Sequence, residues 1–268
     1  MGDQARKPVI GLNVEYNSVR DQVSSFSYLY SDYYTSVDEA GGVSLAILPT
    51  DDSDLISSKL SCVDGVIMVG GGDLDPRQDG FMLHRLVRPM DPYREQFDRA
   101  LMREIVRQRK PVMGIGVGMQ LLNVVQGGSL FLHISEDIPR AMPHRDPTDP
   151  NLRHTLVVEN GSLLEHVYGK NNSDIRVSSK HHMAVDDVAP GFVVTARCPG
   201  DNVVEAIESV REDWLAFGVQ FHPEVISATN LDRRIFSEFI RGVRVFKETG
   251  RNIWAWKSMD RSRQTEKI

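Results

Sequence analysis

The stretch Val112-Met113-Gly114-Ile115-Gly116-Val117-Gly118-Met119-Gln120 constrains this chain more than any other. It joins a short apolar run, Pro111 to Ile115, to a helical pattern, Met119 to Val125, that stops at Gly127-Gly128. The connection, Gly116 to Gly118, is a sharp turn, and glycines on either side of its tip let the backbone bend tightly. Such an elbow exposes the tip residue above a sheet. It also aims a helix N-terminus at negative charge developing there.

The flanking sequence supplies the sheet. Pro8 to Val14 reads as a first strand, and Tyr28 to Ala40 as a helix ending at Gly41-Gly42. Val43 to Leu48 is a second strand, and Asp51 to Leu60 a short helix. Gly65 to Val69 is continuously apolar, as expected of a strand covered on both faces, and runs into Gly70-Gly71-Gly72. Asp91-Pro92 opens an amphipathic helix with Phe97, Ala100, Leu101 and Ile105 on one face, ended by Lys110-Pro111. Strand and helix alternate, which implies a mostly parallel sheet with helices on both sides. The second half differs: His154 to Val158, Val193 to Cys198, Val203 to Glu208 and Leu215 to Gln220 are strand-like, and Leu231 to Phe246 is a closing helix. The expected organisation is one domain over residues 1–250. A charged tail over 251–268 follows, with Trp254 and Trp256 as its only aromatic groups.

Charge and composition narrow the function classes. A net charge of -6 leaves no basic excess to neutralise phosphates, so neither nucleic acid nor a membrane surface is an expected partner. No apolar run approaches the ~20 residues of a membrane span, and the polar start from Met1 to Lys7 lacks the apolar core of a signal peptide. The two cysteines, Cys62 and Cys198, make no disulfide framework. The cytoplasm is the expected location.

The elbow resembles the Gly-Ile-Cys-Arg-Gly-Met-Gln signature of class I glutamine amidotransferases, in the branch of the γ-glutamyl and γ-glutamyl-GABA hydrolases. The similarity continues through Leu121-Leu122-Asn123-Val124, Gly127 to Leu130, Val69 to Pro76, Val177 to Val185, Ala189-Pro190-Gly191, Val203 to Glu208, and Gly218 to Glu224. These blocks lie in the family's order. The resemblance implies a flavodoxin-like three-layer α/β sandwich. It also implies a thiol mechanism, in which an elbow cysteine attacks a γ-glutamyl amide carbonyl, a histidine activates it, and a glutamate two residues later orients the histidine. His222 and Glu224 match that pair, whereas Gly116 stands at the nucleophile position and Val117 at the usual arginine. Backbone near Gly71 and Val117 matches the family's oxyanion hole. By the same resemblance Gly71, Gly72, Val117, Gln120, His181 and His182 are candidate substrate contacts. The loops Gly80 to Met90 and Ser135 to Asn151 would set specificity.

Other readings are weaker on physical grounds. The glycine run at 70–72 lacks the lysine and hydroxyl residue of a phosphate loop. Cys62 and Cys198 read as small structural residues that do not replace the nucleophile. His181 and His182, with His144 or His154, raise the question of a metal, but neighbouring residues of a strand point to opposite faces, so no metal and no cofactor is expected. The expected function is a γ-glutamyl-hydrolase-like protein without thiol-dependent hydrolysis that binds a small γ-glutamyl, carboxylate or amino-acid-like metabolite. A hydrolase running altered chemistry on His222 and Glu224, an engineered knockout of an active enzyme, and a homo-oligomer all stay open.

Overall fold

The structure is a computed structural model describing residues 6–18, 24–149, 151–169 and 174–255. Five parallel strands form its centre. In spatial order they are Val43–Ile47, Val9–Asn13, Gly65–Met68, Val112–Ile115 and Ala216–Val219. Counted along the chain this is the order 2-1-3-4-5, the flavodoxin-like winding whose ligands sit outside the carboxyl ends of the strands. The sheet continues antiparallel through Val204–Ser209, Ala184–Val185 and Leu130–Phe131, with Phe192–Arg197 and Val157–Val158 branching from Val204–Ser209.

Helices cover both faces, and each face has its own core. Ser31–Glu39, Leu163–Tyr168 and Asn230–Thr249 pack on one side around Ile10, Ile67, Ile115, Phe217 and Phe239. Ser53–Ser61, Pro92–Gln108 and Val117–Val125 pack on the other around Val66, Met68, Val112, Phe97 and Leu122. The last helix begins with a reciprocal cap between Thr229 and Asp232 and ends at Gly250 in the left-handed region. Among the described residues, no helix is long and apolar enough to cross a membrane.

Two expected boundaries move for reasons of pairing. Tyr28 is strand, because Phe26–Tyr28 pairs antiparallel with Glu15–Asn17, and the helix begins only at Ser31. The run His154 to Val158 is split. Arg153–Thr155 pairs with Arg176–Ser178 in a separate ribbon, while Val157–Val158 joins the main sheet. Leu156, buried between them, is the pivot. The helix Leu163–Tyr168 has no counterpart among the expected elements; Ser162 caps it, accepting from Glu165 N at 2.9 Å. The described part of the tail, 251–255, is docked on the protein. The Trp254 ring lies tilted 4.8 Å from the His166 ring under the Arg241 guanidinium, and Asn252 is buried. Trp256 lies outside the described residues.

Candidate active site

The parallel register sets the site. Val112–Ile115 and Ala216–Val219 run side by side with Ile115 opposite Val219, so both strands end at one level. The first continues into Gly116 and the second into Gln220, Phe221 and His222. Gly116 N donates to Val219 O at 2.9 Å, and Gly116 O accepts from Met119 N at 3.0 Å, so the tip closes the strand and opens the helix. It does so at φ +55° and ψ -115°, a region that side-chain-bearing residues avoid. The helix behind it lies very close to the sheet: a Cβ at Gly118 would sit 2.2 Å from Met68 O, so only glycine fits there.

A Cβ at Gly116 would fall 3.3 Å from His222 Nε2. His222 Nδ1 donates to Glu224 Oε1 at 2.7 Å, with the histidine partly open and the glutamate almost enclosed. Glu224 stands beside the buried Tyr33 hydroxyl, and burial together with that carboxylate holds the Tyr33 proton on well above its ordinary pKa. The same hydroxyl accepts Gly70 N at 3.0 Å. Below the glycine run lies Arg94, fully buried, which donates to Gly70 O at 3.2 Å and pairs with Asp98 at 3.3 Å and with Glu15. Burial raises the Asp98 carboxyl to about 6 against the pull of Arg94. The arrangement holds a histidine ring, oriented by a carboxylate, over an empty elbow tip.

A cleft of about 490 Å³ opens above this tip. Gly71, Gly72, Gly116, Val117, Gln120, His181, His182 and His222 all line it, so the residues carried over by resemblance come together, with Glu224 behind His222. The segments 80–90 and 135–149 both contribute: Arg88 from the first, Arg145 and Asp146 from the second. Gln120 is buried and braces the wall, donating to Gln220 Oε1 at 3.0 Å and Met183 O at 3.2 Å. His182 faces Asp73 at 2.9 Å, and Asp73 also accepts Arg88 N at 2.6 Å.

His181 turns the other way, into the protein. It donates from Nδ1 to Met183 O at 2.9 Å and joins His144, His154 and Glu205, all four buried. Burial opposes the charge on Glu205, yet His181, His144 and His154 hold its carboxyl well below the usual range. Burial would lower His144 as well, but Cys198, Glu205 and Asp201 push it up to about 9.

Of the two cysteines, Cys198 is buried beside this cluster, whereas Cys62 is exposed at the end of Ser53–Ser61. The exposure of Cys62 follows from its place one residue past a surface helix. The residues that went unread are Tyr33, Arg94 and Glu205. Glu205 carried a signal, a lone acid inside the apolar run Val203-Val204-Glu205-Ala206-Ile207, where an unpaired charge would be prohibitive.

The fold and this elbow define the class of glutamine amidotransferase-like α/β proteins. Within it the chain belongs to the peptidase C26 family, whose model matches residues 8–224. A putative glutamine amidotransferase of Mycobacterium tuberculosis is 33% identical over 223 residues, covering 82% of this chain and 70% of that one. The gamma-glutamyl-gamma-aminobutyrate hydrolase PuuD of Escherichia coli K12 is 30% identical over 245 residues, covering 87% and 92%. Among solved structures, a putative GMP synthase subunit from Thermoplasma acidophilum superposes with a TM-score of 0.61 at 18% identity, over 91% of this chain and 98% of that one. That likeness concerns the fold.

Proposed function

We propose that this chain is a γ-glutamyl-hydrolase-like protein that keeps the family's ligand cleft and has lost its thiol chemistry. One observation carries the reading. The point 3.3 Å from His222 Nε2 at which a side chain would begin belongs to a glycine, which has no atom to attack a carbonyl. In a thiol hydrolase the histidine takes the thiol proton and the thiolate attacks. Cys62 on a surface helix and Cys198 in the buried cluster do not line the cleft.

The ligand we infer is a small γ-glutamyl compound or another compact carboxylate. Arg88, Arg145 and Lys180 border the cleft together with Asp73, Asp146 and Asp149, a mixed lining that suits an amino-acid-like ligand, and the N-terminus of Val117–Val125 opens into it. The test has two arms. A glutamine-analogue alkylator is expected to leave the mass of the protein unchanged, whereas stoichiometric labelling of either cysteine with loss of turnover would overturn the loss of thiol chemistry. Thermal shift with glutamate, γ-glutamyl amides and short dicarboxylates is expected to raise Tm; a flat response throughout would remove the binding reading.

The intact His222–Glu224 pair supports a second reading, acid–base chemistry on a water or another substrate without a covalent step. It predicts turnover of a cleft ligand that His222→Ala abolishes and thiol reagents leave untouched.

A further inference from the structure

Four segments meet behind the cleft wall and bring His144, His154, His181 and Glu205 to one point. The outer nitrogen of each ring is already committed. His144 Nε2 donates to Asp201 Oδ2 at 2.9 Å, His154 Nδ1 to Thr155 O at 3.0 Å, and His181 Nδ1 to Met183 O at 2.9 Å. Each acceptor is a carbonyl or a carboxylate, so one ring proton resides on that side, and the inner nitrogen carries either a second proton or a lone pair for a cation. Three inner nitrogens therefore face one point. His144 Nδ1 and His181 Nε2 are 3.2 Å apart at hydrogen-bond geometry, so either a proton or a cation must stand between them.

The carboxylate makes the same demand. Glu205 is wholly buried, and neither of its oxygens has a hydrogen-bond partner of acceptable geometry; nor does His154 Nε2. Yet Glu205 Oε1 lies 3.3 Å from His144 Nδ1, 3.2 Å from His154 Nε2 and 3.4 Å from His181 Nε2. The contacts have the distances of ion pairs and lack the angles of hydrogen bonds. A tetrahedron of ligands about 2.0–2.1 Å from a central zinc has edges of roughly 3.3–3.4 Å. These four separations between inner atoms, 3.2 to 3.4 Å, match that spacing.

We propose that His144, His154, His181 and Glu205 form a tetrahedral site for a zinc-class divalent cation. Imidazole and carboxylate together suit such an ion. Four protein ligands leave no open position, which makes the ion structural rather than catalytic. Asp201, Thr155 and Met183 are the outer partners that aim the rings. The expectation of no metal rested on the adjacent pair His181-His182. That argument holds for the pair, which points apart, and does not reach ligands drawn from other segments. The ion would clasp the His144 loop, the His181 turn and the strand Val204–Ser209, and so fix the wall carrying Arg145, Lys180 and His182. The site stands independently of the reading of Gly116.

The rival source of positive charge is protons on the rings, which requires no metal. The full chain, free of any affinity tag and purified without chelator, is expected to carry about one equivalent of zinc by elemental analysis. Protein stripped by chelator dialysis should regain the metal from zinc chloride alone, with a rise in Tm reversed by chelator. Cobalt(II) in place of zinc should give the intense visible bands of a tetrahedral ion. Glu205→Gln and His154→Gln should each lose the stoichiometric metal, and His182→Ala should retain it. Less than about a tenth of an equivalent before and after reconstitution, with no change in Tm, would overturn the site in favour of protonated rings. Undiminished metal in folded Glu205→Gln would place the ion elsewhere. If both variants fail to fold, the wild-type cobalt spectrum decides: tetrahedral bands uphold the site, and weak octahedral bands or none refute it.

Discussion

Two histidine–carboxylate groupings border the same cleft, and they differ in what surrounds the carboxylate. At the elbow, Glu224 serves one partly open ring, and the ring faces a glycine. Behind the wall, Glu205 meets three rings with no solvent contact at all. The first is a local device, with acid and base two residues apart at the end of one strand. The second exists only once the chain has folded. Removing a part should therefore act mainly on the cleft at the elbow and mainly on stability at the cluster.

The largest expected effect tests that contrast directly. Glu205→Ala removes the buried anion that the cluster is built around and should destabilise by about 3–5 kcal/mol, a fall in Tm on the order of 10 °C. Glu224→Ala, beside a ring that water reaches, should cost clearly less. Equal losses in a thermal melt would break the comparison.

A second carboxylate on the same strand sharpens it. Glu208 is buried with backbone N–H donors, among them Leu163 N at 3.1 Å, and burial pushes its carboxyl up to about 7. An acid whose pKa is raised on folding holds its proton more tightly in the native state. Its contribution is full below the unfolded value of about 4.5 and is lost as pH rises through about 7, up to roughly 3 kcal/mol. Urea midpoints should thus drop between pH 5 and 8, and Glu208→Gln should flatten that drop. A wild-type midpoint independent of pH would show the carboxyl to be unperturbed.

The elbow itself should respond more gently. Gly116→Cys and Gly116→Ala should each lose about 1–3 kcal/mol, because both must hold a sparsely allowed backbone. Only the cysteine should gain a thiol that alkylates rapidly near neutral pH, with His222 and a helix N-terminus lowering its pKa. A folded Gly116→Cys no more reactive than a denatured thiol would mean that the elbow has been remodelled. Smallest of all, Cys62→Ser should shift stability by less than about 0.5 kcal/mol and leave ligand binding unchanged.

What could be read from the chain follows the same division. Gly114, Gly116 and Gly118, and the run His222-Pro223-Glu224, announce themselves within a few residues, because a tight turn and an i, i+2 pair are local matters. The parallel core was equally legible, since buried strands such as Gly65–Met68 read as unbroken apolar runs. The antiparallel half was not. Leu156 divides one apolar run between two sheets, and Tyr28 is recruited by the earlier strand Glu15–Asn17. No periodicity within either segment reports that competition. The convergence of His144, His154, His181 and Glu205 is longer-range still: the histidines raise the question of a metal and one acid stands in an apolar strand, but nothing local brings them to one point.

The left-handed tip at Gly116 also bears on how such a protein changes over evolutionary time. A cysteine at this position is held in an unfavourable backbone region for as long as the reaction needs its thiol. Once that need lapses, glycine relieves the strain at a stroke, and the fold is firmer for it. The return to cysteine must overcome the same strain while activity is still too feeble to reward it. The backbone conformation that exposes a nucleophile thus acts as a ratchet, making the thiol easier to abandon than to regain.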